Sequence, residues 1–334
     1  MAVSTGLAKA TEFWRVLRDV NPAAINRELE KGFTLALLGS DEPGKAAVRR
    51  ALRSVDGASA KYMVEIDELM GPDGRLTPPR ADLYLYVVDA NVGLSGQDIT
   101  NLEQLYLLAR PTALIFAGNG CGSLAGELQQ VSSDLGGLVS MTIAVDPCDP
   151  LGAESHVGSL LVRTLPNKAL VMARYLAPLR SDTAEEIIRQ TTRVNAEFAL
   201  LSNLPANIPV LGTLMGAGAD LLVLTKNQAM MVLKLAAVYG RDLDNKWRLA
   251  AEIIPVIGAA FAWRTIARLL VGTLPTPMAA LPKTTIAYAG TVVVGKMAKY
   301  YYEYGRKPLP AVTQQFAREA AEELQRVAAG AANS

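Results

Sequence analysis

The chain has 334 residues, which is enough for two domains of ordinary size and more than one hydrophobic core. Hydrophobic residues make up 50% of it and charged residues 19%, a balance that excludes an intrinsically disordered chain. The 33 Lys and Arg residues are offset by 32 Asp and Glu residues, so the net charge of +1 excludes a polybasic nucleic-acid-binding protein. The presence of only two cysteines excludes a disulfide scaffold and indicates a reducing compartment. The single histidine excludes most imidazole-based metal or acid–base sites.

Residues 1–30 are predicted to form a helical lead-in, because apolar residues recur there at near-helical spacing. Pro22 divides the run into two short helices. The first eight residues contain no basic segment followed by an apolar one, so we expect no secretory signal.

Residues 31–150 are predicted to form an α/β domain with a doubly wound, mostly parallel sheet, because short apolar runs alternate there with amphipathic stretches. The amphipathic stretches predict helices at 45–55, 98–108 and 124–135. The apolar runs predict strands at 33–38, 62–66, 83–88, 113–117 and 139–145.

Residues 151–308 are predicted to form an all-α, strongly apolar domain, because the strand pattern stops after Pro150. An amphipathic C-terminal helix and tail follow at 309–334. The surplus of apolar residues in this half requires either a second core or a membrane surface. The predicted helices of the apolar domain are 184–201, 208–224, 229–239, 249–271 and 284–297.

The most specific motif begins at Gly39, directly after the first predicted strand, and continues to Gly44, Lys45 and Ala46. The spacing matches the phosphate-binding loop G-x-x-x-x-G-K-[ST], whose backbone N–H groups and lysine surround a phosphate. The final position departs from the pattern, because alanine has no oxygen with which to coordinate Mg²⁺. A relic loop is therefore favoured over a working nucleotide site.

The same loop carries Asp41 and Glu42, two carboxylates beside the position of a polyphosphate. Carboxylates a few ångströms from an anionic ligand repel it strongly when they are partly removed from water. This feature also argues against tight binding of a nucleotide.

Two further segments resemble Era-like and Ras-like GTPases. The run 84–94, with Asp89, resembles their fourth strand and the turn after it, and the run 110–122 resembles their fifth strand and guanine-reading turn. Asn119 is retained in that turn, but glycines replace its lysine and aspartate. The resemblance, over about residues 25–150, implies a P-loop GTPase fold with GTP as the nucleotide. It implies a vestigial nucleotide site at Gly39, Gly44, Lys45, Ala46 and Asn119, with no catalytic residue and no metal site.

Residues 184–306 are similar to the helical domain that follows the GTPase domain in bacterial YcjF-type proteins. Asn195 and the segments 203–209, 212–224 and 228–240 carry this resemblance. It implies a cytoplasmic protein associated peripherally or integrally with the inner membrane.

A cluster of tyrosines and lysines follows the last apolar run and predicts membrane contact, since amphipathic rings and lysines are stable among lipid headgroups. No clean membrane span is predicted, because Arg264 and Arg268 interrupt the apolar residues 253–273. The alternative is a solvated helix end on a soluble bundle. The membrane-contact candidates are Lys296, Lys299, Tyr300, Tyr301, Tyr302 and Tyr304.

We therefore expect a GTPase-like protein with little or no hydrolysis that acts as a membrane-associated scaffold or regulator. One alternative is a GTP or ATP hydrolase with a reduced metal site that uses Lys45 and backbone amides. Another is a soluble oligomer whose apolar helices form the subunit interface. A membrane surface is the expected partner, and no nucleic acid is expected.

Overall fold

The computed structural model describes residues 20–39, 41–53, 63–65, 80–120, 131, 133–201, 219–245, 248–249, 251 and 282–332. The chain divides into two compact units. The sheet unit comprises residues 27–183, and the helical unit comprises residues 1–26 and 184–334. The predicted helices at 124–135, 208–224 and 249–271 lie largely outside the described residues.

The described part of the sheet unit contains five parallel strands in the order β2-β1-β3-β4-β5. Every predicted strand overlaps an observed one, so the α/β prediction is confirmed. The strands are β1 Leu35–Leu38, β2 Met63–Glu65, β3 Leu83–Asp89, β4 Thr112–Ala117 and β5 Met141–Val145.

Helices cover both faces of this sheet, as expected for parallel strands that read as continuous apolar runs. Tyr86 and Phe116 point to the face where Leu102 and Leu105 of one helix pack. Alternate residues such as Val87 point to the opposite face. The helices of the unit are α1 Ala23–Glu30 (which begins just before it), α2 Glu42–Ala51, α3 Gly96–Leu107, α4 Pro150–Thr164 and α5 Ala169–Tyr175, with 3-10 turns at Pro166–Lys168 and Ala177–Leu179.

Helix α4 belongs to the same compact unit as the sheet and packs against α2 and β5. The Asp149 side chain caps it by accepting a hydrogen bond from the Gly152 N–H at 3.0 Å, and Pro150 stands in its first turn. The helical pattern that begins after β5 therefore starts with a helix that covers the sheet. The expected boundary at residue 150 falls between these two elements.

Among the described strands, β5 forms one edge of the sheet, and α4 reaches that edge through His156. Nδ1 of His156 lies 3.0 Å from the carbonyl oxygen of Ala144. The neighbouring Val145 carbonyl accepts a hydrogen bond from Gly118 after β4, so the Ala144 carbonyl points away from β4.

The described elements of the helical unit are all α-helices, and α8 packs against α7 and α9. Gly295 of α8 lies against Ile188 of α6, where a Cβ atom would come within 2.7 Å of the isoleucine Cγ1. These helices are α6 Arg180–Leu201 (mostly in this unit), α7 Ala219–Val238, α8 Pro282–Tyr304 and α9 Pro310–Ala332.

A buried polar network joins three of these helices. The Asn195 amide donates to the Thr291 hydroxyl at 3.0 Å and accepts from the Asn227 amide at 2.8 Å. The Gln228 amide also donates to Thr291, at 3.2 Å, and Thr291 donates to the carbonyl of Ala287 at 2.7 Å. Buried amides that are paired in this way specify one packing of the helices, because a shifted packing would leave them unpaired.

Within the described parts of the chain, every helix falls short of the length and apolar character needed to cross a membrane.

Candidate nucleotide-like site

The candidate site lies at the carboxyl ends of β1 and β3. The strand order places β1 between β2 and β3, so the chain leaves β1 in one direction and crosses to the other side for β3. In doubly wound sheets ligands bind in the crevice at this reversal, because the following loops separate there. The loops after β1 and β3 therefore border the expected ligand-binding crevice.

Gly39 begins the loop after β1 and lies directly over the central strand. Its φ is +116°, and a Cβ atom would sit 1.9 Å from the carbonyl oxygen of Val87 in β3. Only glycine fits both the backbone conformation and this close approach. The loop is short, since α2 begins at Glu42.

Asp41 caps α2. Its Oδ2 accepts a hydrogen bond from the Gly44 N–H at 3.0 Å, and its carbonyl accepts one from the Lys45 N–H at 2.9 Å. Gly44 is itself close-packed, because a Cβ atom would lie 2.4 Å from Cβ of Ala117. A carboxylate of the protein thus takes a backbone N–H at the start of the helix, where a bound phosphate would otherwise accept it.

Lys45 is buried, with 4% of its surface exposed, and its ammonium group forms an ion pair with Glu42 one turn earlier. The other carboxylate oxygen of Glu42 lies 3.7 Å from the guanidinium of Arg49. The hydrogen bond from Lys45, with the charges of Lys45 and Arg49, lowers the pKa of Glu42. The lysine that would reach a phosphate is therefore paired within its own helix.

The surroundings of Asp41 disfavour the charged form of its carboxyl group. Burial raises its pKa, and the charges of Asp89 and Glu42 raise it further. The Gly44 N–H and the Lys45 ammonium act in the opposite direction. Asp89 ends β3, and its Oδ1 accepts hydrogen bonds from the backbone and side-chain nitrogens of Asn91 at 2.7 and 2.9 Å.

The start of α3 fixes the far side of the β3 loop. Ser95 and Asp98 form a reciprocal capping box there. The Tyr86 hydroxyl donates to Oδ1 of Asp98 at 2.8 Å and accepts from the Asn101 amide at 3.0 Å. Burial raises the pKa of Tyr86 to about 12, so this hydroxyl keeps its proton at neutral pH.

The structure brings Gly39, Gly44, Lys45 and Ala46 together in the loop and first turn of α2. Ala46 follows the buried lysine with only a methyl group. Among the described residues, no group of His, Cys, Asp or Glu side chains could hold a metal ion.

Asn119 lies at the same edge of the sheet, after β4, because β4 pairs in parallel with β3. Its side-chain oxygen accepts a hydrogen bond from the thiol of Cys148 at 3.3 Å. Asp146, after β5, accepts hydrogen bonds from the backbone N–H groups of Gly120 and Cys148, each at 2.8 Å. These bonds lower the pKa of Asp146 and tie the two loops together.

Sequence reasoning missed Asp146. The available signal was an aspartate directly after the predicted strand 139–145, which is a common position for a side chain that binds loop N–H groups. Its partner at Gly120 depends on the register of β4 and β5.

The membrane-contact candidates do not share one surface. Lys296 pairs with Glu319 of α9 at 2.5 Å, and Lys299 pairs with Glu185 of α6 at 2.6 Å. Tyr302 is buried, and Tyr304 is 57% exposed. Tyr300 and Tyr301 are half-buried, and the ring of Tyr300 lies 4.6 Å from that of Tyr304. Both ammonium groups thus have carboxylate partners inside the unit, and membrane contact by this cluster stays a prediction.

No protein-family model matches the chain, and no curated protein matches its sequence. The α/β domain, with its parallel sheet and flanking helices, is compatible with a P-loop fold. The narrower resemblances to Era-like or Ras-like GTPases and to YcjF-type proteins stay predictions.

Proposed function

We propose that the chain is a GTPase-like protein that does not turn over nucleotide and acts as a membrane-associated scaffold or regulator. One observation carries the proposal: the buried Lys45 is paired with Glu42, and the next residue, Ala46, offers no oxygen to a metal ion. Phosphoryl transfer in P-loop enzymes depends on a free lysine and a bound Mg²⁺ at these positions.

Binding of a nucleotide would also be unfavourable on electrostatic grounds. Its phosphates would have to displace Glu42 from Lys45 and would approach the carboxylates of Asp41 and Asp89. The approach of phosphates to these carboxylates is repulsive, and the repulsion is stronger in a partly desolvated crevice than in water.

The turn between α8 and α9 supports the membrane part of the proposal. Tyr304 and Leu309 are 57% and 68% exposed, and Arg306 and Lys307 between them are exposed as well. An aromatic ring, an aliphatic side chain and two cations on one short turn suit the boundary between lipid headgroups and acyl chains. This turn replaces the body of α8 as the proposed contact, since the lysines of α8 are paired internally.

The nucleotide part is tested by steady-state turnover of GTP and ATP with and without Mg²⁺. We expect no turnover above that of a Lys45→Ala variant. Mg²⁺-dependent turnover that disappears in Lys45→Ala would refute the proposal and favour the hydrolase alternative.

The membrane part is tested by flotation with vesicles that contain anionic lipid, at low salt. We expect the wild-type chain to float and a Tyr304→Ser, Leu309→Ser variant to stay at the bottom. The matched control is Tyr106→Ser, Leu107→Ser, which removes two exposed apolar side chains at the end of α3. A wild-type chain that does not float, or a control that loses flotation equally, contradicts the proposed contact. A stable oligomer that does not float would favour the soluble-oligomer alternative.

A further inference from the structure

We propose that Asp41 and Glu42 are built-in counter-anions that occupy the loop after β1 in place of an external anion, and so keep the site closed to phosphates. The inference rests on the proposed function and extends it, because it names what prevents binding. It makes the closed state a property of two side chains and not of the fold.

Asp41 takes the backbone donor. Its Oδ2 lies 3.0 Å from the Gly44 nitrogen, and the close packing of Gly44 against Ala117 and Val87 fixes where that N–H points. A hydrogen bond from a backbone N–H to a carboxylate is stronger than one to a neutral acceptor. An anion would therefore have to compete with a charged acceptor on the same chain.

Glu42 takes the side-chain donor. Its carboxylate pairs with the Lys45 ammonium three residues later, and Arg49 approaches its second oxygen at 3.7 Å. The glutamate is exposed, whereas the lysine is 4% exposed. The glutamate thus stands on the solvent side of the buried cation, where an anion from solution would have to approach.

The arrangement can be reversed by removing charge without removing shape. Asparagine caps helices as well as aspartate does, so Asp41→Asn keeps the Gly44 hydrogen bond and removes the charge. Glu42→Gln keeps the length and shape of the exposed side chain and places a neutral amide beside the Lys45 ammonium in place of the carboxylate. Glu42 would then no longer offset the positive charge of Lys45.

The experiment measures binding of inorganic pyrophosphate, without metal and at low salt, by calorimetry and by the thermal unfolding midpoint. The full chain is compared as wild type, as Glu42→Gln, and as Asp41→Asn, Glu42→Gln. A Glu30→Gln, Glu103→Gln variant provides the same change in net charge at exposed positions elsewhere in the sheet unit. A fourth variant adds Lys45→Met to the loop pair.

We expect the wild type and the charge control to bind pyrophosphate only weakly, with no measurable shift of the midpoint. We expect the loop pair to bind pyrophosphate at least about tenfold more tightly than the control, and Lys45→Met to abolish the gain. The single Glu42→Gln variant should show part of the gain, and it tests the idea with the helix cap intact.

No gain in the loop variants, or an equal gain in the charge control, overturns the inference and leaves the proposed function standing. Tight pyrophosphate binding by the wild type also overturns it. Turnover of GTP by the wild type, in contrast, refutes the proposed function itself.

Discussion

Replacement of Gly39 by alanine tests whether the loop after β1 is as tightly fitted as the structure shows. The new Cβ would lie 1.9 Å from the carbonyl oxygen of Val87 and 2.9 Å from its nitrogen. Val87 lies in β3, which pairs with β1 on one side and β4 on the other, so its backbone cannot move without disturbing three strands. The loop must therefore move instead.

The magnitude follows from two costs. A non-glycine residue in a left-handed backbone conformation costs about 1–2 kcal/mol, and overpacking of a filled site costs about 1–3 kcal/mol. The sum, about 2–5 kcal/mol, is a large part of the roughly 5–15 kcal/mol that stabilises an ordinary domain. We expect Gly39→Ala to shift the urea midpoint of the sheet unit strongly or to prevent folding.

Two other glycines separate these costs. Gly32 has φ +60° but nothing within 4 Å of a new Cβ, so Gly32→Ala should cost only the backbone share, about 1 kcal/mol. Gly96, in the first turn of α3, has open space and no positive φ, so Gly96→Ala should be neutral or stabilise by up to about 1 kcal/mol. Urea unfolding followed by circular dichroism measures all three. A loss for Gly39→Ala no larger than that for Gly32→Ala would refute the close approach.

Substitutions at three further positions test other contacts. Ala109 follows the C-cap of α3 and has φ +51°, so Ala109→Gly should relieve backbone strain and stabilise the protein by about 0.5–1 kcal/mol in urea unfolding. Asp146→Ala removes the acceptor of two loop N–H groups and should speed their hydrogen exchange. Because the pKa of Asp146 is lowered on folding, its stabilisation is full above its ordinary pKa near 4 and is lost as the pH falls further; Asp146→Asn should remove this share of the acid sensitivity in a pH titration of the unfolding midpoint. Asn195→Ala removes one of the two amide donors to Thr291 and the acceptor of the Asn227 amide, and should cost about 1–3 kcal/mol in thermal unfolding.

The Ala109 prediction has a matched control variant, and each of the three predictions has an outcome that would contradict it. Gly240 lies two residues after the end of α7 and has φ +76° with the same hydrogen-bond pattern that Ala109 makes, so Gly240→Ala should change stability in the opposite direction. Equal signs at the two positions would contradict the argument from backbone strain. Unchanged exchange in Asp146→Ala would contradict the tie between the loops. An Asn195→Ala variant as stable as the wild type would show that the polar network adds nothing.

The strands could be predicted because β3 and β4 are buried on both faces, which makes their sequences continuously apolar. The start of α2 was predicted too late. The phosphate-loop pattern suggested a loop that continues to Lys45, whereas Asp41 as cap and Pro43 in the first turn begin the helix at Glu42. With the correct start, the pair between Glu42 and Lys45 follows from helical spacing. The tie at Asp146 could not be predicted, because it joins loops whose proximity depends on strand register.

The membrane-contact cluster shows a different limit. The predicted helix stopped at residue 297, whereas α8 continues to Tyr304. Successive residues of a helix point about 100° apart, so neighbours in sequence are distributed around its circumference. Tyr302 therefore faces the interior and Lys299 faces α6, while Tyr304 reaches solvent. Residues of the predicted cluster therefore point in different directions, and exposed neighbours occur together only at the turn between α8 and α9.

The imidazole at the edge of the sheet has a consequence for self-association. An additional strand, from this chain or from another copy, would need the outward carbonyl of Ala144 to pair with β5, and His156 already occupies it. Unprotected edge strands are where sheets of separate molecules join into aggregates. The His156 ring of α4 thus protects this edge of the sheet, because it hinders pairing of a further strand with β5.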